Sequence, residues 1–401
     1  MSRQRYPTQI GVGGFVFGER EKANLLEVIK SNRLSYGPWS QKFEEMFARE
    51  HQCRFAVFSN SGTSALHMAL AAMKEKYGWA DGDEIIVPAI TFIATSNIVF
   101  YNNMVPVFVD VDLKTYNINP VKIEAAITPR TRAILPVHMY GLPADMDSIM
   151  TIATSHNLRI LEDSCETAFA TFKGKKVGSF GDVGCFSTYV AHFIITGVGG
   201  LATTNDPELM LIMRSYMNHG RDSIYLNIDD DENVSEEKLE LIVEKRFSFV
   251  RLGHSMRCTE MEAALGVGQL EGKEDIIRAR AENAQFYLKH LKDLEEFIQL
   301  PFVPLDRNHL FMLFPVVVRN GSKRDLVNYL EKHNIETRDM MPLVNQPVYR
   351  TRFGNIEEQY PIAKWINESG FYIGCHPYLT TAERQYVVDI FHDFFKRAVV
   401  K

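Results

Sequence analysis

No stretch of the chain is apolar for long enough to span a bilayer, and the N-terminal MSRQRYPTQIGVGG has no apolar run of the signal-peptide kind. Cysteine is sparse. Cys53, Cys165, Cys185, Cys258 and Cys375 are odd in number, scattered, and never spaced C-x-x-C or C-x-C. That spacing argues against a cysteine-held zinc or iron–sulfur centre within one short segment, so no metal is expected, and it suits a reducing cytoplasm. Positive charge is not in excess. A formal net charge of −6 gives no general attraction for nucleic acid or for an anionic membrane. Short-period repeats and low-complexity segments are missing as well. These absences together predict a soluble cytoplasmic protein without nucleic-acid or membrane partners.

What is present is enough to fold. Hydrophobic residues at 46% against 23% charged are ordinary for a globular protein, and 401 residues bury a core without disulfides. The length predicts two domains. Residues 1–265 read as a large α/β domain with an N-terminal arm, and 266–401 as a connecting helix plus a smaller α+β domain.

Residues 64–76 (SALHMALAAMKEK) have helix formers and an apolar face, and six β-rich runs follow. They are EIIVP (84–88), VPVFVDVD (105–112), RAILPVHMYG (132–141), LRILEDS (158–164), DVGCFSTY (182–189) and GLATTND (200–206). The apolar runs at 85–87 and 107–109 are continuous rather than alternating, as for strands covered on both faces. The pattern predicts a mostly parallel sheet, with ligands at the carboxyl ends of its strands. A long helical stretch is expected over roughly 259–293. Beyond it, LFPVVVRNG reads as a strand and SKRDLVNYLEKHNI as a helix that Ser322 could cap. The acidic run Asp229–Glu232 reads as a solvated loop.

Three segments carry residues able to do chemistry. Ser59 to Ser64 (S-N-S-G-T-S) directly precedes the first of these helices, where free N–H groups and the helix dipole favour a phosphate; an ordinary N-cap with a glycine turn fits as well. Asp163, in Leu161-Glu162-Asp163-Ser164, ends a strand. Its carboxylate could bind a metal, act as a base, pair with a protonated ring nitrogen, or merely cap a helix. Cys185 to His192 runs into the glycine-rich Thr196-Gly197-Val198-Gly199-Gly200. A lone histidine there is more often structural than catalytic.

Taken together, in this order and spacing, the segments resemble the DegT/DnrJ/StrS sugar aminotransferases, a fold-type I family that uses pyridoxal 5′-phosphate (PLP). The resemblance runs over nearly the whole chain. It rests on SNSGTSAL (59–66), VPAITFIATSN (87–97), PVFVDVD (106–112), PVHMYG (136–141), LEDSCE (161–166), GSFGDVGCFS (178–187), TGVGG (196–200), TND (204–206) and GHSMRCTEMEAALGVGQL (253–270). It implies a mostly parallel, seven-stranded-type sheet and a homodimer with shared active sites. It also implies that Gly62, Thr63 and Ser187 bind the cofactor phosphate, that Phe92 stacks on the pyridine ring, and that Asp163 pairs with the pyridine nitrogen.

Two positions depart from the family pattern. A lysine is expected five residues after Ser187 and five before Gly197, and that position is His192. No lysine occurs from 177 to 237, so no small slip restores one. Ser255 stands where the family usually has an asparagine that reaches the phosphate across the dimer, and its reach is shorter. Imidazole forms no stable imine with an aldehyde, but it moves protons near neutral pH. The resemblance therefore narrows to the family's lysine-to-histidine branch, typified by GDP-4-keto-6-deoxy-D-mannose 3-dehydratase. Glu166, which completes E-D-x-C-E and is taken as a cofactor contact, and His219 in Asn218-His219-Gly220 both match that branch.

The implied activity is 3-dehydration of a nucleotide-linked 4-keto-6-deoxyhexose in deoxysugar and lipopolysaccharide biosynthesis. His192 would act as base, PLP and pyridoxamine 5′-phosphate (PMP) as cofactor forms, and glutamate as amino donor. A related branch uses an iron–sulfur cluster on closely spaced cysteines, which this chain lacks. The alternatives are a nucleotide-sugar aminotransferase whose lysine has been substituted, a PLP enzyme acting on a non-sugar ketone such as a cyclitol, and a non-catalytic PLP-binding homologue. Arg338, His376 and the 220–250 segment are the expected places for substrate contacts, and Arg251 to Arg257 for reaching the neighbouring subunit's site.

Overall fold

A computed structural model describes residues 3–224 and 233–399; the acidic run Asp229–Glu232 lies outside the described residues. Seven strands form the larger sheet: β1 (Phe55–Ser59), β2 (Glu84–Pro88), β3 (Val105–Val109), β4 (Thr131–Ile134), β5 (Arg159–Asp163), β6 (Val183–Ser187) and β7 (Gly200–Thr204). Their order is β1-β7-β6-β5-β4-β2-β3. All neighbours pair in parallel except β7, which runs antiparallel to both β1 and β6. The expected mostly parallel sheet is present; of its continuous apolar runs, Ile85, Ile86 and Val87 are wholly inaccessible, whereas Val107 in the edge strand β3 is only partly buried.

Helix α1 (Glu19–Ser31) and helix α2 (Pro38–Glu50) precede the sheet, and α3 (Gly62–Tyr77) follows β1. In α3, Ala65, Leu66, Ala69, Leu70, Ala72 and Met73 are buried, and the alanines let the helix lie close against β6 and β7. It ends on Gly78, whose φ of +67° is the left-handed value that glycine takes without a Cβ penalty. Helix α4 (Ile93–Tyr101) follows β2.

Two expectations need correction. The strand expected over 132–141 stops at Ile134, because Pro136 has no N–H to extend the ladder. The helical stretch expected over 259–293 is two helices, Glu260–Glu271 and Lys273–His290, broken at Gly272 with φ −102° and ψ 4°. The first packs on α1 and α2, whereas the second packs on the C-terminal helix Thr381–Val399.

The smaller sheet is antiparallel, in the order Ile298–Gln299, Leu313–Val318, Gly370–Gly374, Thr337–Asp339. Ser322 does cap the helix Lys323–Lys332, its Oγ accepting the Asp325 N–H at 3.2 Å. The N-terminal arm crosses to this part of the chain. Ile10 bridges Ile335 in parallel and is buried with Tyr287, Phe314, Phe371 and Phe391. No described helix is long and apolar enough to cross a membrane.

One buried carboxylate ties the two ends of the larger part together. Glu260 accepts N–H donors from Gly37 (2.8 Å), Trp39 (2.9 Å) and Ser40 (2.9 Å) and the Ser40 hydroxyl (2.6 Å), so it closes the first turn of α2. The helix dipole and the unpaired N–H groups both favour an anion there. Glu260→Ala leaves those donors buried and unsatisfied, and should cost on the order of 3 kcal/mol. Urea unfolding should show a lowered midpoint with an unchanged slope; an unaltered midpoint would remove Glu260 as a structural anchor.

Candidate active site

The site forms where β1, β5 and β6 end. After β1 the chain turns through Asn60 and Ser61 into α3. Ser61 Oγ accepts the Ser64 N–H at 3.0 Å, and the Ser64 hydroxyl donates to Asn60 Oδ1 at 2.7 Å. The N-cap reading of this segment is therefore right for Ser61 and Ser64, whose hydroxyls are occupied by the turn itself. The N–H groups of Gly62 and Thr63 have no acceptor among the described residues. Gly62 lies against β6: a Cβ built on it would come within 2.8 Å of Ser187 Cβ and 3.3 Å of Ser187 Oγ. Two free N–H groups, a helix N-terminus and a hydroxyl thus converge, a set suited to a phosphate.

Strand β5 sends successive side chains to opposite faces, and its two acids do different work. Glu162 accepts N–H donors from Gly178, Phe180 and Gly181, each at 2.7 Å, so it fixes the turn before β6. His138 takes the Ala144 N–H on Nδ1, which leaves its Nε2–H to donate to Glu162 at 3.2 Å. Asp163 faces the other way. It accepts the Thr95 hydroxyl at 2.7 Å and the Cys165 N–H at 3.1 Å, and no cation pairs with it among the described residues. Burial raises its pKa, against the opposing pull of those hydrogen bonds and of His138. No helix follows β5, so the helix-cap reading of Asp163 falls.

Thr95 was not legible as a site residue, although the i, i+4 pair Thr91 and Thr95 was visible in T-F-I-A-T. Their hydroxyls lie 2.7 Å apart at the start of α4. Phe92 stands between them at the N-cap position, the residue 58% exposed, an apolar side chain left open beside Asp163's hydrogen-bond partner. Glu166 is buried and accepts the Tyr140 N–H at 2.9 Å. Its carboxyl is pushed up to about 7, by burial first and by Asp163 in addition, while the Tyr140 N–H pulls it down.

His192 sits on the segment between β6 and β7, partly buried. The Tyr189 carbonyl lies 3.2 Å from its Nδ1, so Nδ1 carries the hydrogen and Nε2 keeps a free lone pair when the ring is neutral. The ring stays neutral at physiological pH. Its pKa is pushed down to about 4 by burial, with Arg280 acting in the same direction and the Tyr189 carbonyl against them.

The remaining candidates fall into two separate groups. His219, with φ +61°, Ser255 and Arg257 cluster on exposed turns: Arg257 Nη2 lies 3.2 Å from His219 Nε2 and 3.2 Å from Ser255 Oγ. Ser255 and Arg257 border a cavity of about 550 Å³ that Tyr36, Arg214 and Thr259 also line. The Met256 carbonyl ties this group to the phosphate turn by accepting the Asn60 N–H at 2.8 Å. Arg338 is exposed on the smaller sheet and paired with Glu336. His376 is buried under Gly14, with its Nδ1 near the Tyr378 N–H at 3.3 Å and its pKa pushed down to about 4 by burial and by Arg280.

Among known proteins, the model of the DegT/DnrJ/EryC1/StrS aminotransferase family matches residues 16–392. GDP-perosamine synthase of Caulobacter vibrioides is 35% identical over 373 residues, covering 92% of this chain and 93% of that protein. The dTDP-4-dehydro-2,6-dideoxy-D-glucose 3-dehydratase of Saccharopolyspora spinosa is 31% identical over 408 residues, covering 98% and 87%. The solved E. coli GDP-4-keto-6-deoxy-D-mannose-3-dehydratase with bound hydrated PLP superposes with a TM-score of 0.84 at 26% identity, covering 96% of this chain and all of that one. The residues here fit PLP: free N–H groups beside a serine hydroxyl, an open aromatic face, and a buried carboxylate lacking a cation.

Glu166 gives the site a pH signature. Between 4.5 and about 7 the folded chain keeps a proton on Glu166 that the unfolded chain has released, so stability falls as pH rises through that window. Without cofactor, wild type should lose about 3 kcal/mol more than Glu166→Gln between the two ends of the window. Urea unfolding across the window measures this, and parallel pH profiles would show that Glu166 ionises normally.

Proposed function

We propose a reaction for this chain from its membership: it belongs to the DegT/DnrJ/EryC1/StrS aminotransferase family, a PLP-dependent family of sugar-modifying enzymes. The reaction is 3-dehydration of a nucleotide-linked 4-keto-6-deoxyhexose. The observation that carries this reading is His192, a neutral imidazole with Nδ1 tied to a carbonyl and Nε2 free; the sequence resemblance expects a lysine at that position.

Bound cofactor would supply an electron sink joined to the sugar's C4. Gly62, Thr63 and Ser187 would hold its phosphate, Phe92 would cover one face of the ring, and Asp163 would hold the proton of the pyridine nitrogen. His192 Nε2 would accept a proton but has no amine to offer, and no lysine occurs from 177 to 237 to carry that proton to sugar C4 as the family's lysine would. The C3 hydroxyl is then the group that leaves. In the net reaction the sugar loses its C3 oxygen and is reduced, while glutamate is oxidised to 2-oxoglutarate and its nitrogen leaves as ammonia.

In this reading the chain works as a homodimer in the cytoplasm. Exposed Ser255 and Arg257 belong to the segment that would meet the partner's phosphate site, and His219, Arg338 and His376 are the positions proposed for the sugar nucleotide. A second reading, transamination, is favoured by several aminotransferase relatives, among them the GDP-perosamine synthase at 35% identity. The missing lysine weighs against it.

Purified chain, PLP, glutamate and a nucleotide-linked 4-keto-6-deoxyhexose should yield a 3-deoxy-4-keto sugar and ammonia, followed by mass spectrometry. A stable amino sugar would overturn the proposal. His192→Asn should lower turnover by about 100-fold with PLP affinity kept, and His192→Lys should not bring out strong transaminase activity.

A further inference from the structure

The segment that carries His192 lies outside the helices and the sheet, so something other than a regular backbone ladder must hold it. It closes on itself partly. Thr188 N–H donates to the Gly199 carbonyl at 3.0 Å, Thr196 N–H to the Thr188 carbonyl at 2.9 Å, and the Thr188 and Thr196 hydroxyls lie 2.5 Å apart. Those bonds pin the two feet of the segment and leave its tip, residues 189–195, to other contacts. On one side the N-terminal arm runs over the tip: a Cβ on Gly13 would lie 3.3 Å from Ala191 Cα. On the other side, Phe193, Ile194 and Ile195 are buried.

Below Phe193 sits Arg280, from the helix Lys273–His290. It is 2% exposed, its guanidinium lies 4.9 Å from the Phe193 ring centre, and no carboxylate pairs with it among the described residues. Its partners are all main-chain carbonyls. Nη2 donates to His192 at 3.0 Å, and Nη1 to Met312 at 2.6 Å, with Phe311 and Cys375 each at 3.4 Å. Burying a guanidinium without an anion is costly, and a methionine of similar length would fill the volume without that cost. A planar donor fork with several N–H groups can, however, grip carbonyls from three separate segments at once. The only one of those carbonyls on the segment between β6 and β7 is that of His192.

We propose that Arg280 is a positioning residue: by holding the His192 carbonyl against the Met312 and Cys375 backbone, it sets where the imidazole Nε2 points. The inference rests on His192 being the base. It adds that the base is aimed from beneath by a cation that touches neither cofactor nor sugar. The rival role for Arg280 is simple glue between its helix and the smaller sheet, since three of its four carbonyls lie outside the His192 segment.

Carbethoxylation of His192 by diethyl pyrocarbonate, followed by peptide mass spectrometry on the full-length chain with and without PLP, separates these roles. The reagent attacks a neutral imidazole nitrogen and so reports the ring's placement without turnover. In Arg280→Met, His192 should be modified about fivefold faster without PLP, as the tip opens locally, while exposed His156 is unchanged. The kcat should fall about 100-fold, with KM and PLP affinity within about twofold of wild type. Arg280→Lys keeps one donor for the His192 carbonyl and should recover part of both effects. Should Arg280→Met fail to fold, Arg280→Lys decides alone, by an intermediate change in both readouts.

A wild-type rate of His192 modification together with wild-type kcat, in a variant whose urea midpoint has dropped, would leave Arg280 as glue and overturn the proposal. Failure of the base assignment looks different. His192→Asn would then turn over normally, while the modification rate of His192 in the Arg280 variants would still report whether Arg280 holds the segment.

Discussion

The first turn of α3 rests on the start of β7 through two residues that have no side chain. A Cβ on Gly200 would lie 2.4 Å from the Gly62 nitrogen and 2.4 Å from the Ser61 carbonyl carbon and oxygen, so nothing larger than hydrogen fits between strand and turn. This contact brings the free N–H groups of the turn level with Ser187 on the neighbouring strand β6. The antiparallel entry of β7 between β1 and β6 makes it possible, because Gly200 pairs with both Ser59 and Ser187. From there the geometry follows in order. β6 places Ser187, β5 beside it places Asp163, and α4 brings the Thr95 hydroxyl to that carboxylate.

The chain also buries charges that have no counter-ion among the described residues. Asp163 and Glu166 are both buried acids, and each lacks a cationic partner among the described residues. Arg280 is a buried cation whose hydrogen bonds among the described residues all go to main-chain carbonyls. In a medium of low polarity these groups act strongly on their neighbours, which is why the acids shift upward and His192 and His376 shift downward. That pattern suits the cofactor placement proposed above, with an anionic phosphate at the helix end and a protonated ring nitrogen at the strand end. A neutral imidazole such as that of His192 can accept a proton, which a protonated amine could not do.

Much of the fold was legible because local patterns and tertiary packing agree. EIIVP is a strand over the residues expected, and the Ser322 cap and the α3 helix lie where sequence placed them, with α3 starting two residues early at Gly62. Where they disagreed, a single residue explains the miss. Pro136 ended a strand that hydrophobicity alone would have extended, and Gly272 split a helix whose apolar spacing ran on across it. Thr95 and Arg280 were illegible for another reason. A threonine in an apolar helix and an arginine in a charged helix carry no local sign of what they will touch across the sheet.

By itself the sequence determined the six strands from β2 to β7 and the family, and it put His192 where the resemblance expects lysine, since spacing between Ser187 and Gly197 needs no coordinates; strand β1 and helices α1, α2 and α4 were not read from it. Only the tertiary structure decided which nitrogen of His192 is free, which of the two adjacent acids of β5 faces the site, and that Ser61 and Ser64 are spent on the turn. Those outcomes depend on groups far apart in the chain, such as Tyr189 and Arg280 on His192, or Thr95 on Asp163. Spacing encodes what lies along the chain; hydrogen-bond direction and burial exist only once distant segments meet.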